Sequence, residues 1–221
     1  MTLGMNIVLI HVGKCGGATI RTTLHNNNSK YYSIKFYSIH TEVIKLKKNT
    51  KYVILLRNPV SRFISAFNWR YKLVILDKTQ EDRFPNEKNV LEKYKNVNNL
   101  AENIEKYDDD YAEEYIHHIY EDINYYLSDF LQDCKKEDIL GVITQENLDK
   151  DFKKIFKIDI ENNLRVNEGD PSLSKKISYS GYKLLKKYLW KDYECINKLY
   201  KMGCLSEKQY NNLTNFSQYD D

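Results

Sequence analysis

Four short apolar runs interrupt a chain that is otherwise polar and charged. They lie at Ile7–Ile10, 34–39, 52–56 and 139–144. Each is too short for a globular helix, rich in Ile, Val, Leu or Tyr, and bounded by polar residues, the pattern of strands buried on both faces. The pattern predicts strands over residues 6–12, 32–39, 52–56 and 139–144. Between them the spacing changes. Val60, Phe63, Ile64 and Phe67 recur every three or four positions, and Pro59 suits a first helical turn, where its missing N–H costs nothing. This predicts a helix over 59–76. Similar readings give helices over 19–26, 98–107, 111–134, 148–156 and 172–202. Residues 77–96 are polar, contain Pro85 and show no clear period, so they read as an inserted loop. Residues 218–221 read as a frayed acidic tail. Strands alternating with helices define an α/β domain spanning 1–221. Its central sheet is mainly parallel with helices on both faces, and ligands bind at the carboxyl ends of its strands.

Composition narrows the function classes. A length of 221 residues suits one domain, and a formal net charge of +3 gives no argument for nucleic acid. No basic leader with an apolar stretch and no segment of membrane-spanning length is present in the sequence, which predicts a cytoplasmic protein without a membrane span. Cys15, Cys134, Cys195 and Cys204 form no CxxC pair and read as reduced thiols. On the expected helix over 111–134, His117 shares a face with Glu121 and His118 with Asp122. Those are two adjacent faces with no third ligand, so no metal is expected and the group reads as a solvated charged face or an acceptor-side wall. The tyrosines of this segment read as core and cleft wall rather than as a platform for nucleic acid.

Candidate chemistry concentrates in two places. The first strand runs into Gly13-Lys14-Cys15-Gly16-Gly17 and then a helix opening at Ala18 and Thr19. A strand, a Gly-rich turn and a helix N-terminus form an anion site, and Lys14 adds a full positive charge. The lysine precedes the paired glycines, unlike GxxxxGK[ST], and there is no GxGxxG. The second place is Arg57-Asn58-Pro59, where an arginine at a strand tip stands beside a helix N-terminus. Ser61 and Ser65 share one face of that helix. Arg62 reads equally well as a helix-surface charge and is set aside, and His11 reads as a packing or hydrogen-bonding residue. Cys15, at a helix N-terminus beside Lys14, is expected to favour thiolate.

The pair HVGKCGGATI and RNPVSRFISAF resembles the sulfotransferases that use 3′-phosphoadenosine 5′-phosphosulfate (PAPS), especially the carbohydrate branch. The resemblance implies a P-loop-NTPase-like three-layer fold. It implies that Lys14 contacts the transferring sulfuryl group and that the loop Lys14, Cys15, Gly16, Gly17, Ala18, Thr19 and Ile20 wraps the 5′-phosphosulfate. Arg57, and Ser65 eight residues later, match the family's 3′-phosphate motif. Gly13 stands where the family often has proline, Cys15 and Ala18 where hydroxyls are common, and Asn58 where aspartate is usual. ILGVITQENLDKDFKKIF and RVNEGDPSLS resemble later parts of the family, the second offering Asn167 and Gly169 to the nucleotide's 3′ side. The reaction needs a general base beside the acceptor oxygen. His40, at the expected end of the second strand, is the first candidate and Glu42 the alternate. The implied activity is sulfuryl transfer from PAPS to a hydroxyl, a saccharide's by the branch resembled, without metal. Residues 77–96 would shape the acceptor cleft. Two alternatives stay open: a kinase with an atypical phosphate loop, or a non-catalytic nucleotide-binding domain. The oligomeric state is not set by the sequence.

Overall fold

The computed structural model describes residues 6–27, 36–39, 44–109, 115–160 and 169–220. Strands β1 (Asn6–His11), β2 (Phe36–Ile39), β3 (Thr50–Leu56) and β4 (Ile139–Thr144) form one parallel sheet in the order β2-β1-β3-β4. Ile7, Val8, Leu9 and Ile10 are all at most 4% exposed, although successive side chains point to opposite faces. Both faces of the sheet are therefore covered, as the uninterrupted apolar runs require.

The helices divide between two apolar clusters. One joins the sheet to α1 (Gly17–Asn26), α6 (Ile123–Asp133), α7 (Leu148–Phe156), α9 (Trp190–Lys201) and α10 (Glu207–Thr214). The other joins α2 (Pro59–Tyr71), α3 (Glu87–Tyr94), α4 (Val97–Glu102), α5 (Ile104–Asp109) and α8 (Tyr179–Tyr188). Helix α2 runs straight into a π-helical turn, Lys72–Leu76, so the segment over 59–76 is helical throughout as its spacing predicts.

Several expectations need correction. The stretch 77–96 is not all loop, because α3 occupies Glu87–Tyr94. Its inward face is Glu87, Val90, Leu91 and Tyr94, and the buried glutamate at the first position hides the helical period. Glu87 is tolerated there because Arg70 meets it with two bonds, Nε to Oε1 at 2.9 Å and a second nitrogen to Oε2 at 2.5 Å. The span 111–134 is not one helix. Its described part is a turn-rich segment over 115–122 followed by α6, which Asp122 caps by accepting the Tyr125 N–H at 2.7 Å. The span 172–202 is a short strand β5 (Ile177–Ser178) and two helices, α8 and α9, broken at Leu189. Helix α10 was not anticipated. The end of the chain is not frayed as far as Asp220: β6 (Tyr219–Asp220) pairs with β5, and Tyr219 stacks on Tyr182 at 5.3 Å. Among the described residues no helix is long and apolar enough to cross a membrane.

Candidate functional site

From β1 the chain goes to β2 on one side and returns to β3 on the other. The connections therefore diverge from the carboxyl ends of β1 and β3, the point where open parallel sheets form a ligand crevice. A cleft of about 730 Å³ opens there. The loop after β1 contributes Gly13, Lys14 and Gly16 to Thr19. Arg57 enters from the end of β3, Ser65 and Trp69 from α2, and residues 145–150 from the end of β4. His118 enters from the turn before α6.

Of the residues singled out in the sequence, Lys14, Gly16, Gly17, Ala18, Thr19, Arg57 and Ser65 thus meet in one cleft. Cys15 and Ile20 do not line it. Both side chains are fully buried in the core, and the Ile20 N–H donates to the Gly16 carbonyl at 3.3 Å. His40, Glu42 and Asn167 lie outside the described residues, and Gly169 lines no part of the cleft.

The loop is shaped by close approaches. Gly16 adopts φ +83° at the N-cap of α1, a conformation that disfavours side chains. A Cβ at Gly17 would lie 2.0 Å from the His11 ring, so the two positions interlock beneath the loop. Gly13 is explained likewise: a Cβ there would come within 2.7 Å of His118 Nδ1, which leaves no room for proline. Among the described residues no side chain caps α1 and no acid occupies its first turn, so its positive end faces the cleft unneutralised.

Lys14 is a non-glycine residue at φ +68°, and its Nζ sits 4.2 Å from the centre of the Trp69 ring. Burial, reinforced by the nearby Arg57 guanidinium, pulls its ammonium down to about 7. Arg57 donates to the Lys14 carbonyl at 3.4 Å, and its buried Nε has no hydrogen-bond partner among the described residues. Cys15 corrects the expectation of a thiolate. Burial outweighs the helix end and nearby arginines and pushes the thiol up to about 12.

The amino end of α2 is not the open anion site expected from the sequence. Asn58 Oδ1 accepts the Val60 and Ser61 N–H groups, both at 3.1 Å, and Glu146 Oε1 accepts the Asn58 N–H at 2.8 Å. The positive charge at this side of the cleft is therefore the Arg57 side chain, not the helix. Asn58 uses both ends of its amide: its Nδ2 donates to the carbonyls of Leu213 at 3.0 Å and Asn215 at 3.1 Å, holding the end of α10. An aspartate has no such donor.

Arg62 is no surface charge either. It is fully buried and donates to the carbonyls of His118 at 2.8 Å, Glu121 at 3.1 Å, Ile119 at 3.4 Å and Gly13 at 3.5 Å. The 115–122 turn is thereby fastened to the loop after β1. His117, His118 and Glu121 bring ligand-type atoms within 4.8 Å of one another. Glu121 is already engaged, accepting from the Tyr115 hydroxyl at 2.5 Å and the His118 N–H at 2.7 Å, with His117 Nδ1 at 3.1 Å.

Several cleft residues escaped the sequence reading, Trp69 and Glu146 among them. Trp69 follows Ser65 by one helical turn, a usable signal. Glu146 lies just past the carboxyl end of β4, another usable signal, and burial raises its carboxyl. His118 reads in the sequence as part of a solvated charged face or an acceptor-side wall, and the structure places it in the cleft. Comparison of the chain with protein families, curated proteins and solved structures found no match.

Proposed function

We propose that this chain is a PAPS-dependent sulfotransferase with a P-loop-NTPase-like fold. One observation carries the reading: Lys14 and Arg57, from the ends of adjacent parallel strands, share one cleft with the uncapped end of α1. Two cationic subsites joined by one crevice suit a nucleotide with separated 5′ and 3′ anionic groups. The amides of the Gly16 to Thr19 turn would receive the 5′-phosphosulfate. Arg57, whose buried Nε lacks a partner among the described residues, would take the 3′-phosphate together with Ser65.

In the proposed reaction the acceptor hydroxyl oxygen attacks sulfur in line. Its proton passes to His40 or Glu42. The bond from sulfur to the bridging oxygen breaks, and 3′-phosphoadenosine 5′-phosphate (PAP) leaves with the electron pair. Lys14 and the loop amides stabilise the charge that collects on the leaving phosphate, so the rate comes from positioning and electrostatics. A saccharide hydroxyl is the proposed acceptor, by the resemblance of the two motifs to the carbohydrate branch.

Calorimetric titration with PAP, adenosine 5′-phosphate and ATP–Mg²⁺ tests the reading. PAP should bind, and loss of the 3′-phosphate should weaken binding by about 10- to 100-fold, the worth of a charge-assisted pair. Arg57→Ala should impose a similar loss on PAP and little on adenosine 5′-phosphate. Preference for ATP–Mg²⁺ would replace this reading with the kinase one.

A further inference from the structure

His118 is held in an unfavourable backbone conformation by a buried arginine and a partly buried glutamate. Its φ is +67°, a left-handed geometry rare for a residue with a side chain. Its carbonyl accepts from Arg62 at 2.8 Å and its N–H donates to Glu121 at 2.7 Å. Glu121 is itself braced by Tyr115, and Arg62 also reaches the Gly13 carbonyl at 3.5 Å. Strain persists in a fold only where the surroundings over-determine it, and such places cluster at functional sites. Here the result is specific. The imidazole is laid against Gly13, immediately before Lys14, and forms part of the cleft wall.

We propose that His118 is a catalytic residue: a neutral imidazole that donates a hydrogen bond to an oxygen of the transferring sulfuryl group, beside Lys14. The proposal rests on the sulfotransferase reading and extends it to a residue outside both recognised motifs. The position follows from the loop. Lys14 is the proposed sulfuryl contact, and His118 packs against the residue before it, so the ring belongs at the sulfuryl end of the cleft and not at the 3′ end marked by Arg57. The chemistry follows from the surroundings. Burial, then the neighbouring His117 and Lys14, pull the imidazole down to about 2. A ring that stays neutral keeps one N–H as donor throughout the working pH range and is a poor proton acceptor. This leaves the base role to the other candidates. Donation to the sulfuryl oxygens adds a preorganised dipole where charge redistributes as the S–O bond breaks. No proton changes hands at His118.

The test compares wild type, His118→Ala and His118→Gln by PAP release from PAPS, with water alone and with a mixture of neutral and uronate-containing oligosaccharides. PAP affinity and thermal midpoint are measured alongside. Glutamine keeps a neutral N–H donor. The expected result is a kcat loss of about 100-fold in His118→Ala, recovery to within about tenfold in His118→Gln, and PAP affinity unchanged in both. Wild-type kcat in His118→Ala would overturn the role while leaving the sulfotransferase reading in place. Equal loss in both variants with normal PAP binding would make the ring a base and overturn the donor role. Parallel loss of PAP affinity and thermal midpoint would make it structural. Absence of PAP release by the wild-type protein would overturn the sulfotransferase reading, and this proposal with it.

Discussion

Lys14 sets stability against the proposed binding in the cleft. Its ammonium is desolvated over Trp69 and faces Arg57, which holds it near 7 rather than in the ordinary lysine range. Between about pH 7 and the unfolded value the native state binds fewer protons than the unfolded one, so this group makes stability rise with pH across that window and costs most below it. Lys14→Met should therefore raise the thermal midpoint of the ligand-free protein at pH 6, and by less at pH 9, while abolishing PAP binding. A lower midpoint at pH 6 would show that the charge is better accommodated than its burial implies. The same residue shows what was legible in the sequence. A lysine in a Gly-rich strand-to-helix turn declares itself by local order alone. Arg62 and His118 do not, because their roles depend on where residues 13 and 118–121 meet in space. Cys15 was misjudged for a related reason: the helix end is visible in the sequence, but the complete burial that outweighs it is not.

At the level of elements, strands were the most legible. β4 and α7 match their predicted limits, since their apolar periods are uninterrupted. The errors fell where a polar residue takes an inward position with a distant partner, as Glu87 does with Arg70, or where a loop reads as helix, as at 115–122. Asn58 belongs to the first kind, a buried polar residue with a distant partner, because it caps α2 and grips the end of α10 at once. Replacing it by aspartate keeps the cap but loses the donor and sets a carboxylate against two carbonyls. Asn58→Asp should cost about 2–3 kcal/mol, the penalty for buried groups left unsatisfied, measured by urea unfolding at pH 7. The loss should shrink at low pH as the new carboxyl takes a proton. An unchanged midpoint would mean that the α10 contact adds no stability.

Over the whole molecule, two carboxyls, the buried Asp192 and the partly buried Asp122, face each other where α6 meets α9. Asp192 is fully buried, accepts the Asn124 N–H at 2.9 Å, and is pushed up to about 8 by burial and by Asp122. A carboxyl raised in the native state contributes its stability below the unfolded value of about 3.9 and loses it as pH climbs towards the folded one. Stability should thus decline between about pH 4 and 8 from this source, and Asp192→Asn should flatten that decline and be the more stable protein at pH 8.5. A variant with the same slope as wild type would remove the pair from the account. The tie from Asn58 to residues 213 and 215 has a consequence for synthesis as well. The cleft joins segments near positions 14, 57, 118 and 146, yet the residue that follows Arg57 is secured by a helix more than 150 positions later. A growing chain cannot make this tie until α10 has left the ribosome, long after residues 14 and 57 have emerged.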